Sequence, residues 1–449
     1  MAQPTYRAPK GTADMLPDTA RVWEHLLAVA QELFARYGYE PIYTPAFEHT
    51  DVFVRGIGEA TDIVGKEMYT FLDKGNPPRS LTLRPEGTAP IVRAALEHGF
   101  TANGQSTKLY YAGPMFRYER PQAGRMRQFW QIGVEAIGMA DPTADAEVIA
   151  LLMEFFAEAG IPRDRMRLLI NTMGDEDCRP PYRDKIAGFI RSHKDDLCEE
   201  CVRRAESNPL RAFDCKNEGC RTVMSAAPLL RDELCDDCAA HYAAVKANLD
   251  ALGVSYVEDS TLVRGLDYYT RTVFEVQAEG LGAQNGIGGG GRYDRLMELY
   301  GGQPTPGLGF ALGFERTMLA MQGAGVEVPR PDVAEVYVAR TVPELATVAF
   351  EVTQRLRADA IAAEMDHQGR SLKAQMKAAD RLGVSIVVLI GPDEVAAGEV
   401  TLRDMDSKTE RRVEMARLTD EVYEALADRS IDEAAGRLRA AEIFDEPGA

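Results

Sequence analysis

Two aromatic-rich runs, "KLYYAGPMFRYE" at 108–119 and "RQFWQIGVEAIG" at 127–138, are separated only by the polar "RPQAGRM". Each alternates in character along its length, the period of a strand with two different faces. A short polar connection between two such runs reads as an antiparallel hairpin with a long tip. That pairing constrains "QNGIGGGGRYDR" at 284–295, which contains a literal G-x-G-x-x-G from Gly286 to Gly291. Such a fingerprint marks a dinucleotide site only inside a strand, turn and helix of a βαβ unit with an acidic residue about 20 positions on. An antiparallel hairpin does not belong to an all-parallel nucleotide fold, so a nicotinamide or flavin enzyme is disfavoured by context.

The 449 residues exceed one ordinary core, and at roughly 100 to 200 residues per domain two to four units are expected. The opening "MAQPTYRAPKGTADMLPD" has no apolar segment of the kind a secretory leader carries. Nowhere do 18 apolar residues run together, so no membrane association is expected and a cytoplasmic location is. The net charge of −19 argues against a protein that coats nucleic acid nonspecifically. Between Lys108 and Gln131, however, Lys108, Arg117, Arg120, Arg125 and Arg127 face the single carboxylate Glu119. A basic island sits in an acidic chain.

Residues 19–38 repeat apolar positions at helical spacing and stop at Gly38. An edge strand is expected next, then the hairpin, then a helix over 143–159. The charged stretch 171–250 carries all seven cysteines and interrupts strand-like runs on either side, so it reads as a helical insertion. The expected division is a core of 1–170 and 251–328, an insertion at 171–250, a further domain at 332–427 and an acidic tail at 428–449. "QGAGVEVPRPDVAE" is the linker. Beyond it strands and helices alternate, which predicts an α/β domain with parallel strands.

In "TLRPEGTAP" at 82–90, Glu86 and Thr88 stand at a turn after a strand, a carboxylate and a hydroxyl suited to an ammonium group. A solvated turn is the plain alternative. Alternation puts Arg117 with Glu119 on one face of the hairpin's first strand, and Gln131, Gly133 and Glu135 on one face of its second. Arginine beside small, backbone-exposing positions can hold a phosphoryl group. Arg120 and Arg125 suit an exposed tip, whereas Arg117, beside an apolar run, needs a partner.

"APKGTADMLPD", "TLRPEGTAP", "FRYERPQAGRMRQFWQIGVEAIG", "LVRGLDYYTRTVFE", "GIGGGGRYDRL", "GLGFALGFER" and "HQGRSLKAQMKAADRLGVSIVVLIG" together resemble the histidyl-tRNA synthetase family of class II aminoacyl-tRNA synthetases, in that family's order and over about residues 6–426. The resemblance implies an α+β core with an antiparallel class II sheet, a helical insertion and a carboxyl-terminal α/β anticodon-binding domain. It implies ATP-dependent ligation of L-histidine to tRNA(His) through a histidyl-adenylate, with Mg²⁺, by a homodimer joined through the 19–47 helix and strand. Glu86, Gly87, Thr88, Arg117, Gln131, Glu135, Arg264, Tyr268 and Tyr269 would surround histidine. Arg117, Glu119, Arg125 and Arg316 would hold ATP, and Arg117 and Arg264 would be catalytic. The glycines of 286–291 would line the pocket where side chains collide, and the basic tip at 120–127 would meet the acceptor end of tRNA. Arg370, Lys373, Lys377 and Arg381 fall near spacing four on a helix of the last domain, where a solvated face is the plain alternative.

Cys198 and Cys201 form one CxxC and Cys235 and Cys238 another, with Cys215 and Cys220 between. Paired CxxC motifs are a zinc pattern, and a cytosolic location disfavours disulfides. Two alternatives stand: a structural zinc on Cys198, Cys201, Cys235 and Cys238, with His193 and His241 as substitute ligands, or reduced, partly buried thiols. A rival function is an inactive synthetase-like regulatory subunit that binds histidine or a partner enzyme. Such relatives lose substrate residues and the last domain, and this chain keeps both.

Overall fold

The expected hairpin forms the spine of the first unit. The computed structural model describes residues 6–59, 61–213, 215–263, 266–282, 285–328 and 334–428. Arg264 and the tail beyond 428 therefore lie outside the described residues. The chain divides into two compact units, Met1–Val328 and Pro329–Ala449.

The first unit begins with α1 (Pro17–Arg36), β1 (Glu40–Pro41), β2 (Phe47–His49), α2 (Thr50–Ile57), β3 (Tyr69–Leu72), β4 (Ser80–Leu83) and α3 (Thr88–Glu97). The hairpin follows as β5 (Thr107–Phe116) and β6 (Gln128–Ile137), then α4 (Pro142–Glu158) and β7 (Met166–Thr172). Four helices, α5 (Arg179–Ser192), α6 (Glu199–Ser207), α7 (Glu218–Met224) and α8 (Asp236–Ala251), precede β8 (Val257–Glu258) and β9 (Thr270–Ala278). Last come β10 (Gly286–Arg292), α9 (Leu296–Leu299), β11 (Gly307–Gly313) and α10 (Phe314–Ala324).

Eight strands make one sheet in the order β1-β5-β6-β11-β10-β9-β7-β8. The six from β5 to β7 pair antiparallel throughout, and only the short edge strands β1 and β8 are parallel to their neighbours. The class II reading of the sheet agrees with this topology. β7 pairs with β8 and β9, and the four intervening helices, α5 to α8, lie between these strands in sequence. β2, β4 and β3 form a separate small sheet.

Local chemistry explains the helices that cover it. α1 places Trp23, Leu26, Ala30, Leu33 and Phe34 on one buried stripe, has a proline in its first turn, and is followed by Gly38 at φ +78°. In α4 the Asp141 carboxylate accepts the Thr143 amide at 2.8 Å, capping an otherwise orphaned donor. Both helices share one buried cluster with Ile132 and Val134 of β6, Phe310 and Leu312 of β11 and Phe274 of β9. Trp23 lies 4.9 Å from Trp130 and 5.3 Å from Phe314, ring centre to ring centre. Each such side chain contributes about 1.5–3 kcal/mol of burial. Because strand side chains alternate, that core turns Gln131, Gly133 and Glu135 to the opposite face.

The second unit runs β12 (Val336–Arg340), α11 (Ala346–Ala358), β13 (Ala363–Met365), α12 (Leu372–Leu382), β14 (Ile386–Ile390), α13 (Pro392–Ala397), β15 (Glu399–Asp404) and β16 (Glu410–Glu414), with sheet order β13-β12-β14-β15-β16. The expectation of parallel strands holds for β13, β12 and β14 but not for β15 and β16, which pair antiparallel. A parallel crossover takes about a dozen residues or more. The segments after β14 and β15 are shorter than that, so the chain folds back on itself.

Candidate active site

On the free face of the large sheet the chain encloses a cavity of about 280 Å³. Glu86, Thr88, Arg117, Glu119, Arg125, Gln131, Tyr268, Tyr269 and Arg316 all line it, residues drawn from well-separated stretches of sequence. Gly286, Gly288 and Gly289 form part of the wall. Gly87 and Glu135 stand immediately behind it.

The turn at 84–88 becomes the start of α3, whose first amides have no partner within the helix. Glu86 fills that gap: its carboxylate accepts the Thr88 amide at 2.8 Å and the Ala89 amide at 2.9 Å. Burial pushes its pKa up, while the two amides and nearby Arg117 pull the other way. The Tyr268 hydroxyl approaches the same carboxylate at 3.4 Å. Thr88 in turn donates its hydroxyl to Glu135 at 2.6 Å, and Tyr293 donates to the other Glu135 oxygen. Glu135 is fully buried, and burial lifts its pKa to about 8 against the opposing effect of those two donors.

Backbone makes room for this network. Gly309 lies directly across from Glu135 in the β6–β11 register, and a β-carbon there would strike the carboxylate. Gly87 and Gly133 sit against the Tyr111 ring, where neither could carry a side chain. Within the glycine run, a β-carbon on Gly290 would meet the Gly309 carbonyl, and one on Gly291 would stand 2.6 Å from the Thr272 carbonyl. Because β10 is hydrogen-bonded to β9 on one side and β11 on the other, the fingerprint spacing belongs to a packed antiparallel strand. The βαβ unit that a dinucleotide site needs is absent from these described residues.

The other end of the cavity is cationic. Arg117, just past β5, donates to the Pro85 carbonyl at 2.8 Å and lies 5.3 Å from the Phe129 ring centre. Arg125 in the hairpin tip pairs with Glu119 at 2.5 Å. Arg316 reaches from α10 to the Gly124 carbonyl at 3.1 Å and the Gly286 carbonyl at 3.0 Å, which ties the tip to β10. Its pKa is lowered by burial and then by the like charge of Arg125. Cations held close at some cost are relieved by an anion. Arg120 is exposed and takes no part in the lining, while Arg127 stacks over Tyr118 at 3.8 Å.

Sequence reasoning missed Tyr111, Phe129, Glu275, Tyr293 and Glu315, all of which line the cavity. Tyr111 pairs with Gly133 in the hairpin register, so the same alternation that found Gly133 and Glu135 would have found it. Burial raises the pKa of Glu315 to about 7, and its carboxylate accepts the Trp130 amide at 3.0 Å. Among the described residues, the Tyr111 hydroxyl and the Gln131 carbonyl oxygen are buried without a hydrogen-bond partner. Orphaned polar atoms on a cavity wall are what a polar ligand satisfies.

The proposed four-cysteine set must be corrected. Cys198 and Cys201 converge with Cys215 and Cys220, whereas Cys235 and Cys238 converge with Asp175 and Cys178. The two CxxC pairs start different helices, α6 and α8, and each finds its partners elsewhere. Neither candidate histidine joins them: His193 stacks on Phe189 at 4.2 Å, and His241 lies 3.4 Å from Asp145.

A family profile described as histidyl-tRNA synthetase matches residues 11–317, and one described as an anticodon binding domain matches residues 335–425. The histidine–tRNA ligase of Halothermothrix orenii is 48% identical over 416 residues, covering 93% of this chain and 98% of that protein. The corresponding ligase of Desulforudis audaxviator is 51% identical over 415 residues, covering 92% and 97%. The solved structure of apo S. aureus histidyl-tRNA synthetase is 36% identical, covers 93% of this chain and all of its own, and superposes with a TM-score of 0.78.

Proposed function

The chain belongs to the histidyl-tRNA synthetase family, and from that premise we propose that it attaches L-histidine to tRNA(His) through a histidyl-adenylate made from ATP. The observation that carries the reading is one cavity with buried carboxylates at one end and converging arginines at the other. An amino acid and a nucleoside triphosphate need these two environments side by side.

At the buried end Glu86 would pair with the α-ammonium group of histidine, with the Thr88 hydroxyl oxygen as a further acceptor. Glu135, Gln131, Tyr268 and Tyr269 would read the imidazole, which offers one donor and one acceptor nitrogen in its neutral form. Buried polar groups of this kind reject apolar analogues by about 10⁴–10⁵ because they would be left unpaired. At the cationic end Arg117 would hold the α-phosphate, Glu119 the adenine amino group, and Arg125 and Arg316 the remaining phosphates. Magnesium would accompany ATP and neutralise phosphate charge, and Glu275 and Glu315 on the cavity wall would be the carboxylates available to hold it.

In the first step the histidine carboxylate oxygen bonds to the α-phosphorus, the α–β phosphoanhydride bond breaks, and pyrophosphate leaves with the electron pair. A terminal ribose hydroxyl of tRNA then attacks the carbonyl carbon, and AMP departs. Two anions must meet in the first step, so fixed cations and positioning provide the acceleration. Arg117 and Arg264 are the catalytic cations in this reading, the latter assigned from the resemblance alone.

The same premise extends to the rest of the chain. Residues 332–427 would take the anticodon arm, with Lys373, Lys377 and Arg381 exposed along α12 and Arg370 held 2.5 Å from Asp366. Residues 1–170 and 251–328 would form the catalytic core, with 171–250 as its insertion. A homodimer is supported by exposed Tyr43, Phe47, Phe71 and Leu72 around the small sheet next to α1 in sequence. Among the described residues no helix is long and apolar enough to cross a membrane; the reading of a cytoplasmic protein rests on the likeness to histidine–tRNA ligases.

Exchange of labelled pyrophosphate into ATP tests the central claim. It should depend on histidine and on no other amino acid. Folded protein that binds histidine without exchange would instead favour the regulatory reading.

A further inference from the structure

Outside the cavity, the densest unexplained chemistry is in the helices of 171–250. Cys198, Cys201, Cys215 and Cys220 bring four sulfurs together, and Asp175, Cys178, Cys235 and Cys238 bring three sulfurs and a carboxylate oxygen together. Within each group every ligand atom lies within 4.8 Å of the others. We propose that this insertion holds two structural zinc ions, one on each group.

The distances are those a tetrahedral ion requires. Zinc–sulfur bonds of about 2.3 Å put sulfurs at the corners of a tetrahedron about 3.8 Å apart, and a zinc–oxygen bond of about 2.0 Å puts sulfur and oxygen about 3.5 Å apart. Cys198 Sγ and Cys215 Sγ are 3.9 Å apart. Asp175 Oδ1 lies 3.4 Å from Cys178 Sγ and 3.7 Å from Cys235 Sγ. A disulfide would need sulfurs about 2.05 Å apart, so the Cys198–Cys215 spacing suits a shared ion rather than a bond.

The surroundings are built for anionic sulfur and a fixed carboxylate. The Cys198 amide points at Cys220 Sγ from 3.2 Å, and the Asp175 amide at Cys178 Sγ from 3.4 Å. Asp175 is also oriented by the Asp177 amide at 3.1 Å and by Arg271 at 3.7 Å. Gly174, at φ +61°, leaves room for Cys178 Sγ, which a β-carbon would approach at 2.6 Å. Partners that orient a ligand in this way are a regular part of metal sites. Each cysteine gives up its proton on binding.

The two ions have different work. The four-cysteine ion ties α6 to α7, inside the insertion. The Asp175 ion ties the start of α5 to the start of α8, the first and last helices of the insertion. Arg179, the residue after Cys178, donates to the Tyr269 carbonyl at 2.7 Å on the cavity wall. The second ion therefore braces the insertion where it touches the site.

Elemental analysis of full-length protein, purified without chelators under reducing conditions and reconstituted with zinc, should give about two zinc ions per chain. Cys215→Ser and Cys235→Ser should each retain about one. Cobalt(II) substitution should give the visible bands of tetrahedral thiolate ligation in the wild type and about half their intensity in each variant, a readout that does not depend on activity. Folded wild type with no stoichiometric zinc would overturn the proposal, as would two ions retained by either variant. One ion in the wild type would overturn the two-site assignment.

Discussion

At one end of the cavity Glu86 and Glu135 are only 4% and 0% exposed and are held by donors from Thr88, Ala89 and Tyr293. At the other, the Arg117 and Arg125 side chains keep 21% and 38% of their surface in contact with solvent. Polar groups buried and hydrogen-bonded in a site discriminate, because any ligand that fails to complete the network leaves a costly unpaired group. Charge left partly open can neutralise a reacting phosphate and still release the product. On the proposed function, the difference would give selectivity to the carboxylate end and rate to the cationic end.

The strongest way to break that division is at the cations. Arg117→Ala should reduce histidine-dependent pyrophosphate exchange by about 10²–10³, the usual cost of removing one preorganised electrostatic donor. Arg264→Ala should do at least as much to activation, yet slow transfer from preformed adenylate less. Single-turnover rates for the two steps on folded protein check both. Equal losses in the two steps for Arg264→Ala, or near-normal exchange in either variant, would remove that arginine from the catalytic set.

The carboxylate end can be sharpened by pH. Burial lifts the native pKa of Glu135 from 4.5 to about 8, so the native protein keeps a proton that the unfolded chain releases near 4.5. This contribution to stability is complete below about pH 4.5 and declines as pH rises through about 8. Wild type should therefore lose stability relative to Glu135→Gln between pH 5 and pH 8, by on the order of a few kcal/mol. Urea unfolding of both proteins across that range measures the difference. A flat difference would mean that Glu135 is ionised throughout.

A smaller effect distinguishes the two ends directly. Tyr293→Phe removes one donor to buried Glu135 and should cost about 1–2 kcal/mol. The loss should fall on the Michaelis constant for histidine, with that for ATP nearly unchanged. Equal changes in both constants would show that the cavity responds as a unit.

Much of this site was legible from residue order. Alternation along β6 put Gln131, Gly133 and Glu135 on one face; the structure places Gln131 on the cavity wall, Gly133 against the Tyr111 ring and Glu135 in hydrogen bonds to Thr88 and Tyr293 of that wall. Arg117, Arg125 and Arg316 also reach one cavity from separate motifs. Arg264 lies outside the described residues, so its role rests on resemblance alone. Tyr293 escaped notice because its partner, Glu135, is 158 residues away and is reached only through the sheet order β6-β11-β10.

The sequence by itself determined the local repeats: the helical stripe of α1 and the two-residue period of the β5–β6 hairpin. Tertiary structure alone decided which repeats meet. Two identical CxxC spacings went to different clusters, because spacing positions a pair at the start of a helix but says nothing of what packs against it. Likewise β15 and β16 turned antiparallel where alternation had suggested parallel strands, because the connections were too short to cross the sheet. Periodicity is written into neighbouring residues by backbone geometry, whereas partnership across a sheet or between helices depends on contacts that form only when the whole chain closes.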